Sequence, residues 1–296
     1  MLAFSPDGKE LALGTRAGVV AVYPLQPTTV EDAPRTQKMH AGLVSSLAWA
    51  PDGTKVLSAG ADGTVRVWDH RTLQPAQRFN AFPTSHPAAV WSPDGRRIAV
   101  AQGRDAIQLF SASDGQLVET FDSPGKTRAL IWPSANDIIG GDDQGRVKFF
   151  QPGGRAPVRM FQPATPHRAV NSLSLYGAAS LLAVGYDDGD VVLLERGSAK
   201  QVQDVPLTRN INVAAWSPNG QILAVSAEDF VVRFFDVQGR QGGSWSNGYD
   251  VDGLCWSADG HYLAGGVEDH TFKIWEVSPR QPPDRPVTTP PSYQGQ

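Results

Sequence analysis

The sequence predicts an all-β protein, a propeller of seven small antiparallel sheets, and three observations predict it. First, an aromatic residue stands before a tight turn at Phe4, Trp49, Trp91, Trp132, Trp216 and Trp256. The gaps between them are 45, 42, 41, 84 and 40 residues, and Leu175 sits near the middle of the long one. Seven units of about 41 residues result, the kind of period that repeat architectures leave in a sequence. Second, the turn recurs as SPDG, APDG, SPNG or SADG: proline presets φ, aspartate or asparagine suits the turn, and glycine takes the left-handed position. Third, 30 glycines and 23 prolines among 296 residues favour many short strands over long helices.

Within a unit the elements follow in a fixed order. The second unit shows them most clearly. VSSLAW (44–49) is a first strand and APDG the turn after it. KVLSAG (55–60) is a second strand, and ADGT (61–64) a tight connection with the Asp-Gly pair of hairpins. TVRVWD (64–69) alternates as a third strand should. The less regular residues after it have room for a fourth, outer strand. No segment has a helical period with caps. One such sheet cannot bury both its faces, whereas seven arranged radially can. The aromatic residues before the turns are then expected between blades, as core.

The predicted blades are residues 1–39, 40–82, 83–123, 124–164, 165–206, 207–246 and 247–277. Residues 278–296 hold six prolines and little apolar content, and read as a disordered tail or linker. Leu2-Ala3-Phe4 is the end of an inner strand, and the last unit stops after its third strand, TFKIWEV (271–277). Blade 1 is therefore expected to be short on its inner strand and blade 7 to lack its outer one. A chain cut from the C-terminal part of a longer protein is the favoured explanation. Imperfect ring closure, or a tail around Pro286–Thr289 covering the open edge, are the alternatives.

The residues resemble the WD40-repeat family of β-propellers. The Trp-Asp that ends the third strand in that family is literal at Trp68-Asp69 and becomes Trp275-Glu276 in the last unit. Its position is held by Tyr23, Phe110, Phe150, Leu194 and Phe235 elsewhere. The family's hairpin aspartate, six residues earlier, matches Asp62, Asp188, Asp229 and Asp269, and departs at Ala17, Arg104 and Gln144. In blade 2 the resemblance implies that His40, Ser58, Asp62 and Trp68 form a buried hydrogen-bonded tetrad that locks the sheet. A buried imidazole, hydroxyl, carboxylate and indole N–H are tolerable only when they satisfy one another. His, Ser and Asp also make up a catalytic triad, but the set recurs on the repeat period in degraded form, as a structural lock would.

Enzyme signatures are missing from the sequence. The six histidines contain no HxxxH or HExxH pair, and neither CxxC, GxSxG nor GxxxxGK[ST] occurs. No cofactor, no metal and no catalytic residue is expected. A net charge of −4 gives no field that points to nucleic acid or an anionic membrane surface, and no run of 18 apolar residues is present. Cys255 is alone, so no internal disulfide forms, which suits a reducing compartment. A cytoplasmic protein is expected, a monomer or part of a larger complex.

Binding in this family falls at three places per blade: four and six residues before the inner-strand aromatic, and just before the hairpin aspartate. Carried over, these positions imply Asp187, Glu228, Asp250, Asp252 and Glu268 as an acidic arc on blades 5–7. Asn171, Asn210 and Asn212 lie among them, and Tyr249 is an aromatic anchor. Arg16 and Arg104 make the opposite rim basic, and blade 4 offers Lys126 and Arg128. The expected function is a non-catalytic scaffold that receives a protein or peptide partner, with a lysine- or arginine-bearing segment at the arc. The alternatives are a propeller hydrolase or lactonase, and a structural subunit of a fixed assembly.

Overall fold

The computed structural model describes residues 1–25, 33–80, 87–102, 105–164, 168–176, 180–207, 209–268 and 271–277. The fold is all-β, a seven-bladed β-propeller. Blade 1 pairs β1 (Leu2–Phe4), β2 (Glu10–Gly14), β3 (Val19–Pro24) and β4 (Arg35–Lys38) in that order. Blade 2 is β5 (Val44–Trp49), β6 (Lys55–Gly60), β7 (Thr64–Asp69) and β8 (Pro75–Asn80). Blade 3 is β9 (Ala89–Trp91), β10 (Arg97–Gln102), β11 (Asp105–Ser111) and β12 (Leu117–Ser123). Blade 4 is β13 (Thr127–Ser134), β14 (Asp137–Asp142), β15 (Val147–Phe150) and β16 (Arg159–Phe161). Blade 5 is β17 (Val170–Tyr176), β18 (Leu181–Tyr186), β19 (Asp190–Glu195) and β20 (Lys200–Pro206). Blade 6 is β21 (Ile211–Trp216), β22 (Leu223–Ala227), β23 (Val231–Phe235) and β24 (Gln241–Ser246). Blade 7 has three strands among the described residues, β25 (Val251–Trp256), β26 (Tyr262–Val267) and β27 (Phe272–Glu276). β1 has three residues, and so has β9, so a short inner strand is an ordinary variation of this fold. Two compact units contain these sheets, Ala3–Met160 and Phe161 onward.

The recurring turn has one hydrogen-bond plan. In blade 3 the Ser92 hydroxyl donates to Asp94 Oδ1 at 2.6 Å and accepts the Arg97 N–H at 2.8 Å. Asp94 Oδ1 also accepts the Arg96 N–H at 3.0 Å, and Gly95 takes φ +68°. Ser5/Asp7, Ser217/Asn219 and Ser257/Asp259 repeat the plan. His261 makes the last of these look like a Ser-Asp-His set, but Ser257 spends its proton on Asp259 as its counterparts do. Serine and aspartate are there because they satisfy turn amides locally.

Neighbouring strand residues point to opposite faces, and both faces are covered. Leu57, Ala59, Val65 and Val67 of blade 2 pack against Trp91, Ile98, Val100 and Phe110 of blade 3. Val56 and Trp68 turn the other way, onto Ala12, Val20 and Val22 of blade 1. In the second unit Ala183, Val191 and Leu193 meet Trp216, Leu223 and Val225, while Ala224, Val232 and Phe234 meet Leu254, Leu263 and Trp275. The sequence therefore reads as continuous apolar runs in the middle strands.

The aromatic before the turn also clips its blade to the preceding one. The indole N–H of Trp49 donates to Ala3 O at 2.9 Å, that of Trp91 to Ala48 O at 3.2 Å, and that of Trp256 to Ala215 O at 3.0 Å. The buried indole nitrogens of Trp132 and Trp216 find no acceptor among the described residues. Trp91→Phe should therefore cost about 1 kcal/mol more in denaturant unfolding than Trp132→Phe, because only the first leaves a carbonyl without its donor. Equal losses would remove the clip from the account.

Candidate functional site

Blade 2 assembles His40, Ser58, Asp62 and Trp68 into one chain of hydrogen bonds. The Trp68 indole donates to Ser58 Oγ at 3.3 Å, and Ser58 Oγ lies 2.8 Å from His40 Nε2. His40 Nδ1 lies 3.0 Å from Asp62 Oδ1. Asp62 is an acceptor, so Nδ1 carries the proton and Nε2 accepts from the serine. Asp62 also takes the N–H groups of Ala41 and Thr64 and the Thr64 hydroxyl. Burial pushes the Asp62 carboxyl up, but the bonds from Thr64, Ala41 and His40 outweigh it and hold it at about 2. Burial likewise holds the His40 imidazole below its ordinary value, against the pull of Asp62. Ser58 and Trp68 are completely buried, so the serine is a link in a lock and has no surface from which to attack a substrate.

Blade 4 reaches the same end with different residues, and the sequence reading did not find them. Lys148 aligns with Arg66 and Asp142 with Gly60, where a Cβ would meet His40 Nδ1 at 2.3 Å. The Asp142 side chain is 1% exposed and that of Lys148 2%. They pair at 2.9 Å, and Arg146 Nε lies 2.6 Å from the same carboxylate. The N–H groups of Gln144 and Arg146 donate to Asp142 Oδ1 at 2.9 Å each. Lys148 also donates to Pro124 O. In blade 6 Val225 stands where blade 2 has Ser58, and Asp229 turns to Arg233 instead, through two bonds of 3.0 and 2.6 Å. Each of these three hairpins is thus closed by a carboxylate, with a histidine, a lysine–arginine pair or an arginine as its counter-group. The signal for blade 4 was a lysine inside the apolar strand VKFF.

The predicted partner-binding residues divide. The Asn171 amide donates to Ile211 O at 3.0 Å and the Asn212 amide to Val251 O at 3.3 Å, in both cases crossing to the next inner strand. Ser45 does the same from blade 2, to Pro87 O at 2.7 Å. In blades 2, 5 and 6 the residue four before the aromatic position therefore ties its blade to the next. Asn210 donates to Glu228 Oε2 at 2.9 Å, and Asp187 accepts the Ala169 N–H at 2.9 Å. Glu228, Tyr249, Asp252 and Glu268 are exposed and Asp250 is half-buried. The Asp250 carboxyl is raised above its ordinary value, first by burial and then by the charges of Glu268, Asp252 and Asp229, which outweigh a hydrogen bond from the Phe230 N–H. Asp250, Asp252 and Glu268 of blade 7 thus lie close together, with Asp229 of blade 6 beside them but paired with Arg233. Phe230, absent from the sequence reading, stands at their edge half exposed at φ +64°. Of the opposite rim, Arg104 lies outside the described residues, as do Asp269, His86, His167, His270 and the tail 278–296. Among the described residues no group of three His, Cys, Asp or Glu side chains could hold a metal ion, and no helix is long and apolar enough to cross a membrane.

A repeat model described as "WD domain, G-beta repeat" matches residues 33–69, 203–236 and 242–276. The chain carries WD40 repeats. Each matched stretch starts at or just before an outer strand or inside one and runs through the three inner strands of the following blade, ending at the Trp-Asp position: Asp69, Asp236 and Glu276. The chain is 26% identical over 249 residues to "Telomerase protein component 1" of Rattus norvegicus, covering 80% of this chain and 9% of that protein. It is 26% identical over 236 residues to "WD repeat-containing protein slp1" of Schizosaccharomyces pombe, covering 77% and 39%. With "Serine-threonine kinase receptor-associated protein" of Mus musculus it shares 22% over 244 residues, covering 82% and 56%. It spans less than two thirds of each of these relatives.

Two expectations follow from the WD40 locks. The folded-state values of Asp62 and His40 are both depressed, so both groups stabilise the fold at neutral pH and withdraw that support on acidification. His40 acts below about pH 6.5 and Asp62 below about pH 4, down to its folded value of about 2. Melting temperature should fall from pH 7.5 to pH 5, and His40→Gln should flatten that decline; an unchanged slope would remove His40 from it. In blade 4, Asp142→Ala should cost about 3–5 kcal/mol by stranding Lys148, and Asp142→Ala combined with Lys148→Met should recover most of it in chemical denaturation. A single variant as stable as wild type would contradict the buried pair.

Proposed function

We propose that this protein is a non-catalytic interaction scaffold whose acidic arc on blades 5–7 receives a lysine- or arginine-bearing segment of a protein partner. The observation that carries the reading is the placement of exposed Asp252 and Glu268 beside the half-buried Asp250, whose carbonyl accepts the Glu268 N–H and whose carboxylate accepts the Phe230 N–H. Like charges gathered at one surface attract a cation before contact and repel an anion. Tyr249 and Phe230 stand at the same place with 53% and 48% exposure, and an aromatic face beside carboxylates suits a cationic side chain. WD40 relatives support a protein-interaction scaffold in general, and a cytoplasmic site of action belongs to the same proposal.

Asp250→Lys with Asp252→Lys tests it. Labelled lysine- and arginine-rich peptides should bind the wild type, more weakly as salt rises, and should lose binding to the reversed variant. Its melting temperature should stay close to that of the wild type, because relief of the mutual repulsion offsets loss of the bond from the Phe230 N–H. Equal peptide binding by the two proteins would dispose of the arc as a partner site.

A further inference from the structure

A cleft of about 450 Å³ lies in the first unit between the turns of blades 2 and 3. It sits at the end of these sheets that carries the Pro-Asp-Gly turns, whereas the acidic arc belongs to the hairpin end of its own blades. Its size is in the range of ligand sites. Lys55, Arg96 and Arg97 line it, together with the Ser111 hydroxyl. No ion pair among the described residues engages any of the three cations. Asp52 also lines the cleft. Hydrogen bonds within their own turns lower the Asp52 and Asp94 carboxyls most, and the charges of Lys55 on Asp52 and of Arg96 and Arg97 on Asp94 lower them further. Asp52 Oδ1 accepts the Thr54 N–H and hydroxyl at 2.9 Å each, and Asp94 Oδ1 accepts the Ser92 hydroxyl and the Arg96 N–H. The adjacent arginines are peculiar to this repeat: the matching pairs read Lys9-Glu10, Thr54-Lys55, Gln221-Ile222 and His261-Tyr262.

An apolar wall completes the site. The pairing of β11 with β12 slips so that Leu109 faces Glu119 and Phe110 faces Leu117, which leaves Val118 as the bulged residue. A bulge re-aims its side chain. Here Val118 is 54% exposed and borders the cleft. The same slip recurs at Ala76 in blade 2, Val202 in blade 5 and Gly242 in blade 6; what sets blade 3 apart is the pair of arginines beside an exposed valine.

We propose that this cleft binds an anionic side chain of a peptide partner, a carboxylate or a phosphate, with an apolar residue of the same peptide lying on Val118. Guanidinium forks suit either anion. Three cations at one spot, on a chain of net charge −4, are too confined to track a nucleic-acid backbone. The site is independent of the acidic arc and selects the opposite charge.

The test uses arrayed peptides with a fixed central glutamate, phosphoserine, glutamine or lysine flanked by leucines, followed by fluorescence anisotropy with inorganic phosphate as competitor. Glutamate or phosphoserine peptides should bind about tenfold more tightly than the glutamine version. Arg96→Glu with Arg97→Glu should abolish that preference, and Val118→Asp should weaken binding. Asp250→Lys with Asp252→Lys should leave it intact, which separates this site from the arc. Melting temperature shows whether each variant folds. A preference only for phosphoserine, matched by phosphate competition, assigns a phosphate site; a preference for both anions assigns a general acidic one. Equal binding of glutamate and glutamine peptides together with no phosphoserine preference, a preference that survives the arginine reversal, or phosphate binding without any gain from the peptide would each overturn the proposal.

Discussion

The structure depends on burying both faces of every middle strand. A four-stranded antiparallel sheet has two faces, and here Leu57 and Val56, neighbours in sequence, enter two different cores. Removing a face from water is worth about 25 cal/mol for each Å² of apolar surface, so neither face can be left uncovered at small cost. Burial on both sides has a consequence for the hairpin between the second and third strands. Its backbone amides turn away from the ladder where water is scarce, and they need acceptors inside the protein. In blades 2, 4 and 6 a carboxylate supplies them and is held by a counter-group, whereas in blade 1 the Thr15 hydroxyl accepts the Val19 N–H.

The three hairpin locks answer that one requirement. Blade 2 uses a neutral chain ending on Asp62, blade 4 a buried charge cluster on Asp142, and blade 6 a bidentate arginine on Asp229. The carboxylate persists while its partner changes. Degradation of the Trp-Asp signature along the chain therefore does not mean that a blade is unlocked. In blade 6 the lock at Asp229 sits beside Glu228 and Phe230, next to the acidic residues of blade 7. Asp250 accepts from Phe230, and the Glu268 N–H donates to Asp250 O, so the charged surface is backed by bonded backbone.

Much of the fold was legible in the sequence because its signals are local and repeated. The period follows from aromatic residues whose burial between blades is common to the repeats, and the turns from serine, aspartate and glycine satisfying their own amides. The blade 2 lock was legible because all four of its residues are of the types that the resemblance implies. The blade 4 lock was not. Asp142 stands two positions before the hairpin-aspartate position, where Gln144 is, and its partner Lys148 becomes meaningful only once its strand is known to be buried. Asn171 and Asn212 show another limit: their repeat position marked them as partner contacts, and nothing in the sequence indicated that their amides also reach the next blade. The cleft beside Arg96 and Arg97 depends on a bulge at Val118, which follows from strand register and leaves no mark on composition.

Native-state hydrogen exchange of the hairpin amides tests the central claim most directly. The N–H groups of Thr64, Gln144, Arg146 and Val231 all donate to the lock carboxylates. All four should exchange slowly, with protection close to that of the middle strands, while the Thr54 N–H, bonded to Asp52 in an exposed turn, exchanges fast. Protection at Thr64 alone, with the blade 4 and blade 6 amides exchanging as fast as Thr54, would contradict the account that one carboxylate requirement is met in three ways.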